Sequence, residues 1–168
     1  MQLQKPSGVR QDAMLRLVGI RKRFGAVLAL NRVSFDLFPG EIHCIVGENG
    51  AGKSTLIKIL TGALSPTEGQ IVLDGATYSG MTPALSRKMG IEAIYQENIV
   101  CPDVSVMENI FLGTEHRKGL LYDRASMLSD ANKLIGNMEV ELDPKALVGD
   151  LSPGQQKIVQ VLKALAKK

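Results

Sequence analysis

Residues 47–55, GENGAGKST, constrain the fold of this chain more than any other stretch, because they match the phosphate-binding pattern G-x-x-x-x-G-K-[ST]. Glycines let successive backbone N–H groups turn toward phosphate oxygens without a side chain in the way. Lys53 would bring a positive charge to the β- and γ-phosphates, and the Ser54 hydroxyl is a ligand for Mg²⁺. We therefore predict a phosphate-binding loop made of Gly47, Glu48, Asn49, Gly50, Ala51, Gly52, Lys53, Ser54 and Thr55.

The residues around the loop favour this interpretation. Residues 41–46, EIHCIV, predict an apolar strand before it, and residues 53–60, KSTLIKIL, place apolar side chains at helical spacing after it. Strand, loop and helix are the order that the motif requires, and the positive end of the helix adds to the attraction for phosphate. The alternative is a glycine turn that binds nothing.

Composition excludes several classes of protein. A chain of 168 residues with 45% apolar residues suits one domain with a real core. No apolar run is long enough for a transmembrane helix, and residues 1–12 form a polar leader without the apolar region of a secretory signal. A net charge of +3, with 4% aromatic residues and no tryptophan, gives no reason to expect nucleic acid as a partner. Cys44 and Cys101 are far apart, so reduced thiols in a cytosolic setting are expected.

The remaining patterns predict an α/β fold that contains a helical segment. Alternating apolar residues predict strands at 14–20 and 33–37, and residues 70–74, QIVLD, predict a short strand ended by Gly75. An apolar run predicts a second buried strand at 91–95. From residue 97 onward helical patterns dominate. We therefore predict an α/β core over 13–96, a helical subdomain over 97–150, and a helix start with the beginning of its helix over 151–168. Further helices are predicted at 83–89, 104–112 and 124–138.

Three further features accompany the loop, and each has an ordinary alternative. Phe24 could stack on a purine base, or it could be a core phenylalanine. Gln96, at the end of a predicted strand, could reach a metal ion or a water molecule, or it could merely cap the strand. The sequence LSPGQQ, residues 151–156, starts a helix with Ser152 as N-cap and Pro153 at the first position. That helix start could bind an anion, or it could be an ordinary capped end.

Taken together, these four features resemble the nucleotide-binding subunit of ATP-binding-cassette (ABC) transporters. In that resemblance GENGAGKST corresponds to the Walker A motif, Phe24 to the adenine-stacking aromatic, Gln96 to the Q-loop glutamine and LSPGQ to the signature. The resemblance implies a P-loop NTPase core with a mixed or parallel sheet, an antiparallel β edge region and an inserted helical subdomain.

The resemblance also implies ATP and Mg²⁺ as cofactors and a role for each residue. Lys53 and Gln96 would serve catalysis, and Ser54 and Gln96 would contact the metal ion. The signature residues would close over ATP held by an opposing cassette; they are Ser152, Pro153, Gly154 and Gln155. Pro153 replaces the common glycine and removes one N–H that could face phosphate, so this contact is expected to be weaker.

Short sequence segments narrow the resemblance to bacterial monosaccharide importers of the ribose, xylose, galactose and arabinose type. GALSPTEG (62–69), YQE (95–97) and SVMENIFLG (105–113) carry this similarity. It implies transmembrane permease subunits that dock on the helical subdomain, a second cassette in a head-to-tail sandwich and, indirectly, a periplasmic sugar-binding protein. The expected location is the cytoplasmic face of the membrane, peripherally attached, with the isolated chain soluble.

One expectation concerns hydrolysis. The family follows the signature helix with a strand ending in Asp-Glu and later a switch histidine, whereas this sequence reaches Lys168 within the signature helix. His43 and His116 both precede the signature, so neither can be the switch histidine. Asp74 ends an early strand, before the signature, which is the wrong place for the aspartate of the Asp-Glu pair. We therefore expect a C-terminally truncated cassette that binds ATP without hydrolysing it efficiently. An exposed sheet edge and marginal stability would accompany the truncation.

Two alternatives remain open at this stage. A nucleotide kinase or small GTPase would share the loop, but those classes lack a serine-glycine-glutamine helix start about a hundred residues later, and the chain shows no N-K-x-D pattern. A non-catalytic remnant or interaction fragment would instead pair with a complete cassette through residues 152–155.

Overall fold

The computed structural model of the chain describes residues 13–95 and 100–167. Its contacts divide into two compact units, one up to residue 91 and one from residue 92. The division predicted at 96/97 and 150/151 stays a prediction.

The first unit is built on an antiparallel sheet. Its strands are β1 (Leu15–Phe24), β2 (Val27–Leu37), β3 (Glu68–Leu73) and β4 (Ala76–Tyr78), and the sheet order is β2-β1-β3-β4. The strands predicted at 14–20, 33–37 and 70–74 overlap β1, β2 and β3, beginning one residue before β1 and ending one residue after β3, while β4 was missed. In register, Leu17 faces Phe35 on one side and Ile71 on the other.

One face of this sheet packs against α1 (Lys53–Leu60), and α2 (Pro83–Lys88) completes the unit. The predicted helix 53–60 is confirmed, and α2 ends one residue before the predicted 83–89. In β1, Leu15 and Leu17 are buried with the period of two of a strand, and Ile20 is buried after an irregularity in register between Leu17 and Ile20. The core contains Leu15, Leu17, Ile20, Leu30, Leu56, Ile59, Leu60, Ile71, Leu73 and Met81.

Two predicted strands are not found. Residues 41–48 and 91–95 form no ladder with any strand among the described residues. Ile42 is 92% exposed and Val46 is 83% exposed, so the predicted buried strand 41–46 is wrong for this structure. The physical reason is that a strand exists only through hydrogen bonds to a neighbouring strand, and an apolar run does not specify that neighbour.

The second unit is helical. It contains α3 (Val106–Phe111), α4 (Arg124–Asn137) and α5 (Pro153–Leu165), with a 3₁₀ turn at Val148–Asp150. The predicted helices 104–112 and 124–138 correspond to α3 and α4, with ends shifted by one or two residues. Between them, β5 (Arg117–Lys118) and β6 (Leu121–Tyr122) form a short hairpin, which was not predicted from the sequence.

The three helices share one apolar core. Val106 and Ile110 of α3, Ala131 of α4, and Val159 and Leu162 of α5 are all fully buried. Packing of these faces stabilises helices that are too short to be stable alone. None of the helices over 13–95 and 100–167 is both long and apolar enough to cross a membrane.

Candidate functional site

The predicted phosphate loop lies between β2 and α1, on the surface of the first unit. Residues 41–50 are all exposed. Gly50 and Gly52 adopt the left-handed conformation, with φ of 87° and 89°. Only glycine enters this region without a steric cost, so the two positions require the residue that the motif supplies. The Ala51 N–H donates to the Glu48 carbonyl at 3.2 Å and closes the turn.

Gly52 brings the end of the loop into close contact with β2. A Cβ at this position would lie 2.5 Å from the Ala29 carbonyl oxygen and 2.8 Å from Leu30 Cδ2. Leu30 is itself buried in the core. The absence of a side chain at residue 52 therefore allows α1 to begin directly against the sheet.

Lys53 folds back over the loop that precedes it. Its Nζ donates to the Gly47 carbonyl at 2.6 Å and to the Glu48 carbonyl at 2.7 Å. These two bonds hold the ammonium at the loop's own entry, on the residues that a bound phosphate would have to approach. A positive charge is thus fixed in the loop by two backbone carbonyls.

The start of α1 offers further positive potential. Its N-cap, Gly52, makes no side-chain hydrogen bond to the helix, and no acidic residue lies in the first turn. The N–H groups of a helix start and the helix dipole both favour an anion. The Leu56 N–H donates to the Gly52 carbonyl at 2.9 Å, so the helix is already formed at its first turn.

Ser54 is the one predicted metal ligand that the structure describes. It lies exposed in the first turn of α1, beside Lys53. Among the described residues, no three His, Cys, Asp or Glu side chains are grouped closely enough to hold a metal ion. A single hydroxyl fits Mg²⁺, which proteins bind through one or two side chains together with phosphate oxygens.

Phe24 ends β1 and is not a core residue. It is 46% exposed, it pairs across the hairpin with Val27, and Lys22 Nζ lies 5.2 Å from the centre of its ring. The same hairpin carries Ala29 and Leu30, against which Gly52 packs. The alternative of a buried phenylalanine is therefore wrong, and the ring lies partly exposed at the end of the β1–β2 hairpin.

Gln96, the predicted Q-loop glutamine, lies outside the described residues, as does the polar leader 1–12. The structure therefore gives no position for this side chain.

The predicted signature residues form the start of α5 in the second unit. Ser152 Oγ accepts from the Gln155 N–H at 3.3 Å, and Gln155 Oε1 accepts from the Ser152 N–H at 3.0 Å. Pro153 occupies the first turn, and a Cβ on Gly154 would meet nothing within 4 Å. Residues 152–154 are exposed. The site is thus an exposed helix start at which Gly154 places no side chain.

The sequence interpretation missed this reciprocal capping. The pattern Ser-x-x-Gln, which is the signal for a capping box, was present in Ser152 and Gln155. Ser105 and Glu108 form the same motif at the start of α3. Gln155 is consequently engaged with its own helix, and its free capacity for another ligand is reduced.

Glu108 also belongs to the wall of a cavity in the second unit. The cavity has a volume of about 450 Å³, and its lining includes Asp103, Met107, Leu128 and Leu147. Arg124 pairs with the Glu108 carboxylate at the edge of this space. Neither the cavity nor the ion pair was predicted from the sequence.

Comparison with known proteins places these features in context. The family described as ABC transporter matches residues 30–168. The chain is 45% identical over 152 residues to the ribose import ATP-binding protein RbsA 1 of Rubrobacter xylanophilus, covering 90% of this chain and 30% of that protein. It is 44% identical over 150 residues to a putative ribose/galactose/methyl galactoside import ATP-binding protein of Agrobacterium fabrum, covering 89% and 30% respectively. The chain thus spans about 30% of the length of the curated relatives it matches.

Solved structures agree on the fold. A nucleotide-free ATP-binding cassette from an ABC transporter is 29% identical, with a TM-score of 0.79, over 92% of this chain and 65% of that chain. The ADP conformation of a cassette gives a TM-score of 0.80 at 29% identity, with the same coverage of both chains. The predicted fold class, the P-loop α/β fold of an ABC cassette with an antiparallel region, is confirmed. The mixed or parallel sheet predicted with it is not found among the described strands, which pair only in antiparallel fashion.

Proposed function

Because the chain belongs to the ABC transporter family of ATP-binding cassettes, we propose that it binds Mg²⁺–ATP through the loop at residues 47–55. The observation that carries this proposal is the position of Lys53, whose ammonium is held at the loop entry by the carbonyls of Gly47 and Glu48. Incoming phosphate oxygens would offer this charge stronger, charge-assisted hydrogen bonds than the two carbonyls do.

The proposed roles follow from where each side chain lies. The N–H groups at the start of α1 and Lys53 would hold the β- and γ-phosphates, and the exposed Ser54 hydroxyl would ligate the Mg²⁺ that the phosphates bring. Phe24 would stack on the adenine from the end of the β1–β2 hairpin. Gln96 would contact the metal or a water molecule.

We further propose that the chain is part of a cassette that energises monosaccharide import. Support comes from relatives named as ribose or galactoside import ATP-binding proteins. In that role it would act peripherally at the cytoplasmic face of the membrane. The second unit would receive transmembrane permease subunits, and a periplasmic sugar-binding protein would participate only indirectly.

The exposed helix start at Ser152–Gly154 is proposed to face a nucleotide held by a second cassette. Its support is that Gly154 leaves the N-terminal end of α5 open and that a related cassette with ADP and Pi has been solved as a dimer. The same observation favours the second candidate, a fragment that pairs with a complete cassette without catalysis. ATP-dependent association with a full-length cassette would occur in both cases, and only the first predicts transport activity.

For residues 1–168 alone, we propose nucleotide binding without efficient hydrolysis. Steady-state release of inorganic phosphate measures this directly, and turnover equal to that of a full-length cassette would refute it.

Nucleotide binding itself is tested by titrating the chain with Mg²⁺–ATP and following heat or fluorescence of a nucleotide analogue. The variant Lys53→Ala should weaken binding of both ATP and inorganic triphosphate, because charge-assisted bonds to phosphate contribute about 1.5–3 kcal/mol each. Lys58→Ala, an exposed lysine in the last turn of the same helix, is the matched control. Equal affinities of the Lys53 variant and the original chain would refute the proposed site.

A further inference from the structure

The hairpin of β5 and β6 in the second unit presents apolar side chains directly to solvent. Leu120 is 101% exposed, Leu121 is 77% exposed and Tyr122 is 58% exposed. Three consecutive large apolar side chains on a surface are unusual, because water disfavours each of them. The turn residue Gly119 has a φ of 66°, which allows the tight turn that pushes Leu120 outward.

Two cations lie on the same hairpin. Arg117 pairs with Tyr122 and Lys118 pairs with Leu121 in the ladder, and the Arg117 guanidinium lies 5.5 Å from the centre of the Tyr122 ring. Both basic residues are exposed. Apolar and positively charged groups are therefore displayed together on one small element.

The neighbouring acidic side chains accept hydrogen bonds from backbone N–H groups on either side of the hairpin. Glu115 accepts from the Gly113 N–H at 3.0 Å, and Asp123 accepts from the Ser126 N–H at the start of α4 at 3.0 Å. The base of the hairpin is also held in place, since the Asp123 N–H donates to the His116 carbonyl at 2.8 Å. The Glu115 carboxylate also attracts the nearby Arg117 guanidinium, while Lys118 and the tip project from a fixed base.

We propose that this hairpin, residues 117–122, is an interfacial contact for an anionic lipid surface. Leu120 and Leu121 would enter the boundary between headgroups and acyl chains, Tyr122 would lie at the headgroup level, and Arg117 and Lys118 would meet the lipid phosphates. The proposal does not depend on nucleotide binding.

A lipid surface fits this element better than a protein partner does. The hairpin places two charged side chains next to its exposed apolar ones, whereas charged residues are depleted from the cores of protein contacts. Charge complementarity points the same way, because the cationic side chains flanking the tip match anionic lipid headgroups.

The absence of tryptophan from the chain makes a direct test possible. Leu120→Trp introduces a single indole at a position that packs against nothing, and its emission reports the polarity around the tip. The chain is mixed, without nucleotide, with vesicles of phosphatidylcholine plus phosphatidylglycerol, or of phosphatidylcholine alone. Val27→Trp, at the exposed end of the β1–β2 hairpin, is the matched control.

With the anionic vesicles, the Leu120→Trp emission should shift to the blue and be quenched by brominated acyl chains, while the Val27→Trp emission should not change. Adding Arg117→Gln and Lys118→Gln should weaken partitioning roughly 30-fold, as expected when two surface cations are lost. Adding Arg87→Gln and Lys88→Gln, an exposed basic pair on α2, should leave it unchanged.

Three results would overturn the proposal. They are an unchanged Leu120→Trp emission with anionic vesicles, equal shifts for the two tryptophan positions, and a shift that occurs on self-association without lipid. The last result would assign the hairpin to a protein contact instead.

Discussion

Gly52 lies so close to Ala29 that a Cβ on residue 52 would be 2.5 Å from the Ala29 carbonyl oxygen. This contact joins the end of the phosphate loop to β2, and β2 is the strand whose hairpin carries Phe24. The two proposed nucleotide contacts, to phosphate and to base, are thus linked through one backbone approach that only glycine permits.

The first prediction tests the close contact between Gly52 and Ala29 by comparing two glycines of nearly equal φ, Gly50 and Gly52. Gly50→Ala and Gly52→Ala should each cost about 1–2 kcal/mol of stability, because both adopt the left-handed conformation. Gly52→Ala should cost a further 1–3 kcal/mol, roughly, because its methyl group would collide with Ala29 while that of Gly50→Ala would meet nothing within 4 Å. Urea denaturation measures both values, and equal losses would contradict the contact.

The second prediction separates the base from the phosphates. Phe24→Ala should weaken ATP binding about tenfold, since base–aromatic stacking contributes on the order of 1–3 kcal/mol. Binding of inorganic triphosphate should not change, because it has no base. Val27→Ala, on the cross-strand partner of Phe24, is the control for local disturbance of the hairpin. Equal losses for ATP and triphosphate would show that Phe24 acts on the loop rather than on the base.

The third prediction concerns Asn109, a fully buried side chain on α3. Its Nδ2 donates to the Cys101 carbonyl at 2.8 Å and to the Val104 and Ser105 carbonyls, and its Oδ1 accepts from the Cys101 N–H at 2.8 Å. Asn109→Ala should therefore destabilise the second unit by about 1–3 kcal/mol, because the N–H and carbonyl of Cys101 would lose this partner and the buried site would lose its packing.

The matched control for Asn109 is Asn132→Ala, an exposed asparagine on α4 whose Nδ2 donates to the Leu128 carbonyl at 2.9 Å. Its loss should stay within about 0.5 kcal/mol, as for most surface changes. Thermal unfolding followed by circular dichroism compares the two, and similar shifts would contradict the role of Asn109.

The fourth prediction concerns pH. The pKa of Glu108 lies below its ordinary value of 4.5, first because the Ser105 hydroxyl donates to its carboxylate, then because the Ser105 N–H does, with a smaller effect from Arg124. The stability that this carboxylate contributes is complete above the ordinary pKa. It is lost as the pH falls through the lowered pKa of the folded state.

As the pH falls below about 4.5, the free energy of unfolding of Glu108→Gln should therefore decrease less steeply than that of the original chain. The amide of glutamine can still accept from Ser105, so the helix start remains capped. Unfolding temperatures measured across this acidic range give the comparison. Parallel curves for the two proteins would show that the carboxylate charge has no role at this position.

Local sequence determined the features that depend on a few neighbouring residues. The loop glycines predict positive φ, and Gly50 and Gly52 have it. The helix after the loop, the N-cap at Ser152 and strands overlapping β1, β2 and β3 were all predicted. Each of these rests on backbone conformation or on a period of two or 3.6 residues, which the sequence states directly.

Features that depend on a distant partner were decided only by the tertiary structure. The apolar runs at 41–46 and 91–95 suggested buried strands, yet among the described residues no strand pairs with them. The hydrophobicity of a segment does not reveal which backbone it will hydrogen-bond, because that partner lies far away in the chain. The roles of Phe24 and of the signature residues came from resemblance and remain predictions.

The same distinction applies to the loop itself. Its sequence determined that a glycine-rich turn precedes a helix with a lysine at its first position. Only the folded chain placed Ala29 against Gly52 and brought the Lys53 ammonium onto the carbonyls of Gly47 and Glu48. The contact with Ala29 joins segments more than twenty residues apart, so it exists only once the sheet and α1 have packed their apolar faces together.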